Sequence, residues 1–162
     1  MKKRNIVGIG TVFVAAAAVG AFSMLSEGEN GPAGQSLSDA APEIVVYKGP
    51  QCGCCDKWAE HLDAAGFKVS VKEVDNLQPI KARYGIGPQL SSCHTAVVER
   101  YAIEGHVPAD DILRLLRERP AVTGLTVPGM PIGSPGMEEG PKEAYDVLTF
   151  DASGRTAVYT RR

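Results

Sequence analysis

From Ile44 to Tyr47 four apolar residues follow one another, the pattern of a short strand covered on both faces, and Gly49-Pro50 ends it. From Gly53 to Ala65 the apolar period becomes that of a helix, with Cys55, Ala59, Leu62 and Ala65 along one stripe and Gly66 as the stop signal. Phe67, Val69 and Val71 then alternate as strand residues do. Pro79 to Tyr84 predicts a short helix, Thr95 to Val98 a strand and Tyr101 to Ile103 its hairpin partner. Ala109 to Arg119 predicts an amphipathic helix with Ile112, Leu115 and Leu116 turned inward. Thr126 to Pro141 is rich in glycine and proline and predicts a loop. A terminal hairpin follows, Val147–Phe150 with Thr156–Tyr159, turning at Ser153-Gly154.

The order β-α-β-α-β-β-α over the first seven elements is that of a thioredoxin-like α/β fold, here extended by a Gly/Pro/Met-rich loop and a C-terminal β-hairpin. The folded domain is expected over 43–162. Before it, Ser26 to Pro42 has no apolar period and is rich in Gly, Ser, Pro and acidic residues, which predicts a flexible tether over 26–42. Residues 1–25 begin with Lys2, Lys3 and Arg4 and continue as an uncharged run from Ile6 to Leu25, the arrangement of an export signal, with small residues at Ala21-Phe22-Ser23 for cleavage. The run exceeds the usual apolar core of about 7–15 residues, so an uncleaved membrane anchor stands beside a cleaved signal. Both readings leave the basic end in the cytoplasm and the domain outside it, in a periplasmic or extracytoplasmic position.

A chain of 162 residues with 44% apolar residues supports one domain with a core. Its 17 basic and 19 acidic residues become 14 and 19 once Lys2, Lys3 and Arg4 are set aside, an acidic balance that argues against a nucleic-acid partner. No Ser-His-Asp set, phosphate loop or carboxylate pair supports hydrolysis or phosphoryl transfer.

The chemistry lies in the cysteines. Of four, Cys52, Cys54 and Cys55 fall within four positions at the turn where the first strand becomes the first helix, and Cys93 stands alone. A helix N-terminus presents unpaired N–H groups and the positive end of the dipole, which favour thiolate. Purely structural bridges fit poorly, since adjacent cysteines rarely bridge and a Cys52–Cys55 bond closes almost no loop. Cys52 and Cys55 have the spacing of a redox dithiol, but a third thiol between them invites mispairing and suits the grip of a soft metal better. Cys93 precedes the third strand, where thioredoxin-like proteins carry a cis-proline facing the cysteine turn. A thiol and the imidazole of His94 there favour a metal site over a disulfide reductase.

These residues resemble the bacterial copper-resistance CopG family. The resemblance runs from Tyr47-Lys48-Gly49-Pro50-Gln51-Cys52-Gly53-Cys54-Cys55 and Trp58 through Ser92-Cys93-His94-Thr95 and Glu104-Gly105-His106-Val107-Pro108. It continues into Val127-Pro128-Gly129-Met130-Pro131 and Gly133-Ser134-Pro135-Gly136-Met137. It implies copper binding by Cys52, Cys54, Cys55 and Cys93 in the periplasm. Ligand softness points the same way: cuprous ion prefers thiolate and thioether, and bridging thiolates allow more than one Cu(I). Zinc is the alternative metal, although its structural sites typically use C-x₂₋₄-C pairs.

Around the cysteines, His94 stands between a ligand or supporting role and an ordinary loop histidine, with strand alternation expected to send Cys93 and His94 to opposite sides unless the loop is irregular. His106 is expected to serve mainly as a structural residue at a helix start, although the resemblance keeps it as a candidate metal ligand or support. Met130 and Met137, in the repeated Pro-Gly-Met, are either thioether ligands or apolar plugs under the loop. Trp58 is expected in the core, His61 on the solvated surface, and Lys48 as an exposed lysine before a turn. The leading function is a copper-binding protein that sequesters Cu(I) or hands it to other periplasmic copper-handling proteins. The alternative is a thiol–disulfide or copper-linked oxidoreductase using Cys52 and Cys55, and a third reading is a structural zinc domain that binds a protein partner.

Overall fold

The computed structural model describes residues 41–162. The signal or anchor expected over 1–25 lies outside the described residues, as does the tether expected over 26–42 apart from Ala41 and Pro42. The elements are β1 (Glu43–Lys48), α1 (Gly53–Ala64), β2 (Lys68–Glu73), α2 (Gln78–Arg83), β3 (His94–Val98), β4 (Tyr101–Glu104), α3 (Ala109–Glu118), β5 (Gly124–Thr126), β6 (Asp146–Phe150) and β7 (Thr156–Arg161). One sheet of seven strands holds them in the order β2-β1-β3-β4-β5-β6-β7, with β2 and β7 at its edges. β1 runs parallel to β2 and antiparallel to β3, β3 antiparallel to β4, and β4 parallel to β5. β5 and β7 both run antiparallel to β6. Among the described residues no helix is long and apolar enough to cross a membrane.

Alternation along the central strands splits the interior in two. Ile44 and Val46 of β1 and Ile103 of β4 pack with Trp58 and Leu62 of α1 and Ile112 and Leu115 of α3. Ala102, the neighbour of Ile103, faces the other way and joins Ile86, Leu90 and Phe150 in a smaller cluster. Each fully buried large apolar side chain contributes about 1.5–3 kcal/mol relative to exposure.

Three expectations need correction. Gly124–Thr126 forms β5, a strand the sequence pattern did not predict, whose last residue Thr126 was expected to begin the loop; three residues are too few to show a period, and pairing on both sides holds them extended. Ala65 is exposed, and Trp58 takes the inward position that the helical stripe assigned to it. His61 is half-buried rather than solvated: its Nε2 accepts a hydrogen bond from the Ala109 N–H at 3.1 Å. It thereby satisfies one of the free donors at the start of α3, where Pro108 offers no side-chain cap. In β2, Val71 is 43% exposed because the strand forms an edge.

β4 and β5 approach so closely at Ala102 and Gly124 that a Cβ on Gly124 would overlap the Ala102 carbonyl. Gly124→Ala should therefore cost about 1–3 kcal/mol or more of stability through overpacking, read as a lower urea midpoint. Gly53→Ala, with open space around its Cβ, should leave that midpoint unchanged or raise it.

Candidate metal centre

The centre is assembled by the register of three strands. β1 and β3 pair with Lys48 opposite His94, so Gly49, leaving β1, and Cys93, entering β3, emerge from the sheet at the same end. β3 and β4 pair with Thr95 opposite Glu104, and the Gly105 N–H continues the ladder by donating to the His94 carbonyl at 3.2 Å. Two steps past Glu104, His106 thus comes to stand beside Cys93. The turn after β1 delivers Cys52 at the cap position of α1 and Cys54 and Cys55 in its first turn, against the same sheet end.

The Sγ atoms of Cys52, Cys54, Cys55 and Cys93 all lie within 4.8 Å of one another. Cys54 Sγ is 3.6 Å from Cys52 Sγ, and Cys93 Sγ is 3.5 Å from Cys55 Sγ. Cys52 and Cys55 are joined as a disulfide, while Cys54 and Cys93 are free. This is the pair whose spacing marks it as a redox dithiol: one helical turn brings the two Cα atoms to 5.3 Å, within the range a disulfide requires, and Cys54 and Cys93 form no second bridge. A disulfide offers no thiolate ligand, so a site using all four sulfurs belongs to the reduced protein.

Both neighbouring histidines meet Cys93. His94 Nδ1 lies 3.3 Å and His106 Nε2 3.1 Å from its sulfur. The expected division of Cys93 and His94 between opposite faces does not occur, because Cys93 sits in the irregular segment before β3 and only His94 obeys the strand. His106 is likewise more than a structural residue at a helix start. Its Nδ1 donates to the Pro135 carbonyl at 2.7 Å, which leaves an Nε2 lone pair directed at Cys93 when the ring is neutral. A neutral His106 is favoured because burial lowers its pKa. Burial, helped by His106 and Lys81, pushes His94 down to about 3, and its Nε2 is buried without a hydrogen-bond partner. Burial, reinforced by Cys54, pushes the Cys93 thiol up to about 12. Neutral imidazoles and a thiol that holds its proton until a cation displaces it are donors of the kind a metal recruits.

The two Pro-Gly-Met segments part company. Gly136 lies so near the first turn of α1 that a Cβ there would come within 2.7 Å of the Cys54 carbonyl oxygen and 2.9 Å of the Trp58 nitrogen, and its φ of +85° suits glycine. Met137 lines a cleft of about 470 Å³ with Gly53, Cys54 and Lys57, whereas Met130 is 50% exposed. A second, open cleft of about 530 Å³ reaches Cys52 and Cys93 past Gly49, Pro50, Gln51 and Leu77. Trp58 fills the core as expected and also walls the centre: its Nε1 donates to the Val107 carbonyl at 2.9 Å, and its ring lies 4.3 Å from that of His94.

Lys48 is buried, contrary to expectation, and its ammonium pairs with Asp56 at 3.0 Å and Glu73 at 3.6 Å, tying the end of β1 to the first turn of α1. The sequence carried no signal for this, since a lysine after an apolar run reads as the end of burial. Hairpin counting could have found His106: with Val98 opposite Tyr101, the residue opposite Cys93 is His106.

A mixed α/β domain whose cysteines and histidines gather at one end of its sheet defines a protein with a cluster capable of binding metal. Two solved structures, named "Copper resistance protein copG- Form 2" and "Copper resistance protein copG- Form 1", are each 44% identical and align over 75% of this chain and 98% of theirs, with TM-scores of 0.72 and 0.71. The chain belongs to the CopG copper-resistance family. A family model described as "Protein of unknown function, DUF411" matches residues 90–137, the span from the Cys93 segment through both Pro-Gly-Met repeats. Comparison with curated proteins gives no match.

The histidines make the metal-free protein acid-sensitive in a calculable direction. An unfolded histidine takes up a proton near pH 6.5, whereas folded His94 resists until about 3, so the folded state binds fewer protons in between and stability falls as pH drops. His61 and His106, also lowered by burial, act in the same direction. The urea midpoint should fall from about pH 7 to about pH 4, and His94→Phe should flatten the fall by about one proton, or about 1.4 kcal/mol per pH unit.

Proposed function

We propose that this protein is an exported copper-binding protein with a thioredoxin-like fold, which sequesters Cu(I) or hands it on in the periplasm. Cys52, Cys54, Cys55 and Cys93 are its ligands in the reduced state. The observation that carries this reading is the convergence of four sulfurs from two distant segments within 4.8 Å. Soft thiolates select Cu(I) over harder cations, and their capacity to bridge supports more than one ion. His94 and His106 fit as further ligands or as bases that take the Cys93 proton when metal arrives. Met137 fits as a thioether at the cleft beside Cys54, and Met130 less well, since it points to solvent exposure. The open cleft at Cys52 and Cys93 supports transfer, because a donor or acceptor can reach sulfur without the domain unfolding. The export reading rests on the sequence of residues 1–25, and the fold reading on the strand order with β3 antiparallel to its neighbours.

The Cys52–Cys55 disulfide favours a second reading, a thiol–disulfide or copper-linked oxidoreductase. Cys93, 3.5 Å from Cys55, is then a third sulfur close to the bond.

Reduced protein titrated with Cu(I) under anaerobic conditions against a chromophoric chelator should hold copper tightly. Cys93→Ser should lower the stoichiometry, and a variant with all four cysteines replaced by serine should hold none. Unchanged retention in that variant would reject the cysteine site. The oxidoreductase reading instead expects metal-free protein to turn over a disulfide substrate, and Cys55→Ser to abolish that turnover.

A further inference from the structure

α2 buries a single residue, and that residue is Lys81. Its ammonium forms an ion pair with Glu104, a residue with no exposed surface, on the sheet face opposite α1. Removing two charges from water costs several kcal/mol per ion before their attraction is counted, so a well-packed apolar pair would serve the core at least as well. What the pair does that an apolar one cannot is hold backbone.

Every hydrogen bond it makes points to the segment carrying Cys93. Glu104 Oε1 accepts from the Ser92 N–H at 2.6 Å, and Glu104 Oε2 accepts from the Thr95 hydroxyl at 2.7 Å. Lys81 Nζ donates to the Ser92 carbonyl at 3.1 Å and to Thr95 Oγ1 at 3.3 Å. Both polar groups of the Ser92 backbone are therefore taken by the two charges. Ser92 has no strand partner, since β3 starts only at His94. Its side chain is pinned separately, by donating to the Gly129 carbonyl. The following residue is Cys93. Glu104 also stands two residues before His106, so the pair lies between the two segments whose donor atoms meet at 3.1 Å.

We infer that Lys81 and Glu104 are positioning residues of the metal centre, a buried ionic clamp that fixes the Ser92 backbone and thereby sets Cys93 Sγ against Cys55 and His106. Ser92-Cys93 stands where thioredoxin-like proteins carry a cis-proline, so the segment has no proline to hold it. The clamp performs that task with charge and leaves the position next to it free for a ligand sulfur. Its relevance to copper rests on the function proposed above; its action on Cys93 does not.

The test uses reduced, metal-free protein and iodoacetamide, with alkylation of Cys93 and Cys54 followed separately by peptide mass. Lys81→Met with Glu104→Leu removes both charges together, a change the fold tolerates better than losing one partner. Cys93 should react about tenfold faster, equivalent to about 1.4 kcal/mol less protection of its segment, while Cys54 stays within about twofold of wild type. The same variant should bind less Cu(I) per chain. An unchanged Cys93 rate in a variant with native circular dichroism overturns the clamp. Equal acceleration of Cys54 and Cys93 also overturns it, since the pair would then support the fold in general. If the double variant does not fold, Thr95→Val decides, because it removes one donor to Glu104 without unpairing a charge: Cys93 alone should accelerate, and no acceleration rejects the inference. Failure of wild-type protein to bind Cu(I) would reject the copper reading and leave the labelling result standing.

Discussion

The register of β3 against its two neighbours is the constraint on which the centre depends. Lys48 opposite His94 and Thr95 opposite Glu104 bring the cysteine turn, the Cys93 segment and His106 to one end of the sheet. A slip of one residue in either ladder would send the buried set of β3, His94, Ala96 and Val98, to the wrong face. Apolar burial along β1 and β4 therefore guards the geometry of the centre. Core and centre share one specification: whatever keeps Ile44, Val46 and Ile103 inside also keeps Cys93 beside Cys55 and His106.

Around this frame the centre is closed by backbone as much as by side chains. The Pro135 carbonyl orients His106, the Gly129 carbonyl holds Ser92, and Gly136 lets the loop lie on the first turn of α1. The long Gly/Pro-rich stretch is thus the fourth wall of the centre, and its glycines permit approaches that side chains would block. Its two Pro-Gly-Met repeats, equal as sequence, are unequal in place: one braces the Cys93 segment and leaves its methionine half exposed, while the other abuts α1 and sets its methionine beside Cys54.

Most of the element order was legible because periodicity is a local property. The β1 run, the α1 stripe, the β3–β4 hairpin and the α3 face each declare themselves within about ten residues. β5 was not legible, because three residues carry no period and its extension is imposed by β4 and β6. The cysteine cluster was legible from spacing, and the neighbourhood of Cys93 followed from topology. What escaped was long-range polar chemistry: the burial of Lys48 and Lys81, the pairing of Lys81 with Glu104, and His61 at the start of α3. Lysine, glutamate and histidine look alike in a sequence whether solvated or paired, and only the tertiary partner decides. The Cys52–Cys55 bond was legible as a redox pair from its spacing; loop closure says only that so short a bridge does little for stability.

Among the described residues β2 and β7 have no strand partner on their outer sides, and each carries one exposed large apolar residue, Val71 and Val158. Such margins invite strand addition by another chain, and charged residues are the usual deterrent: Lys68, Lys72 and Glu73 stand on one margin, and Arg161 on the other. Any association that overcame this at β7 would lengthen the sheet four strands away from β3. The margin at β2, by contrast, lies next to β1, whose end carries the cysteine turn, so the two margins differ in how near an added strand would come to the centre.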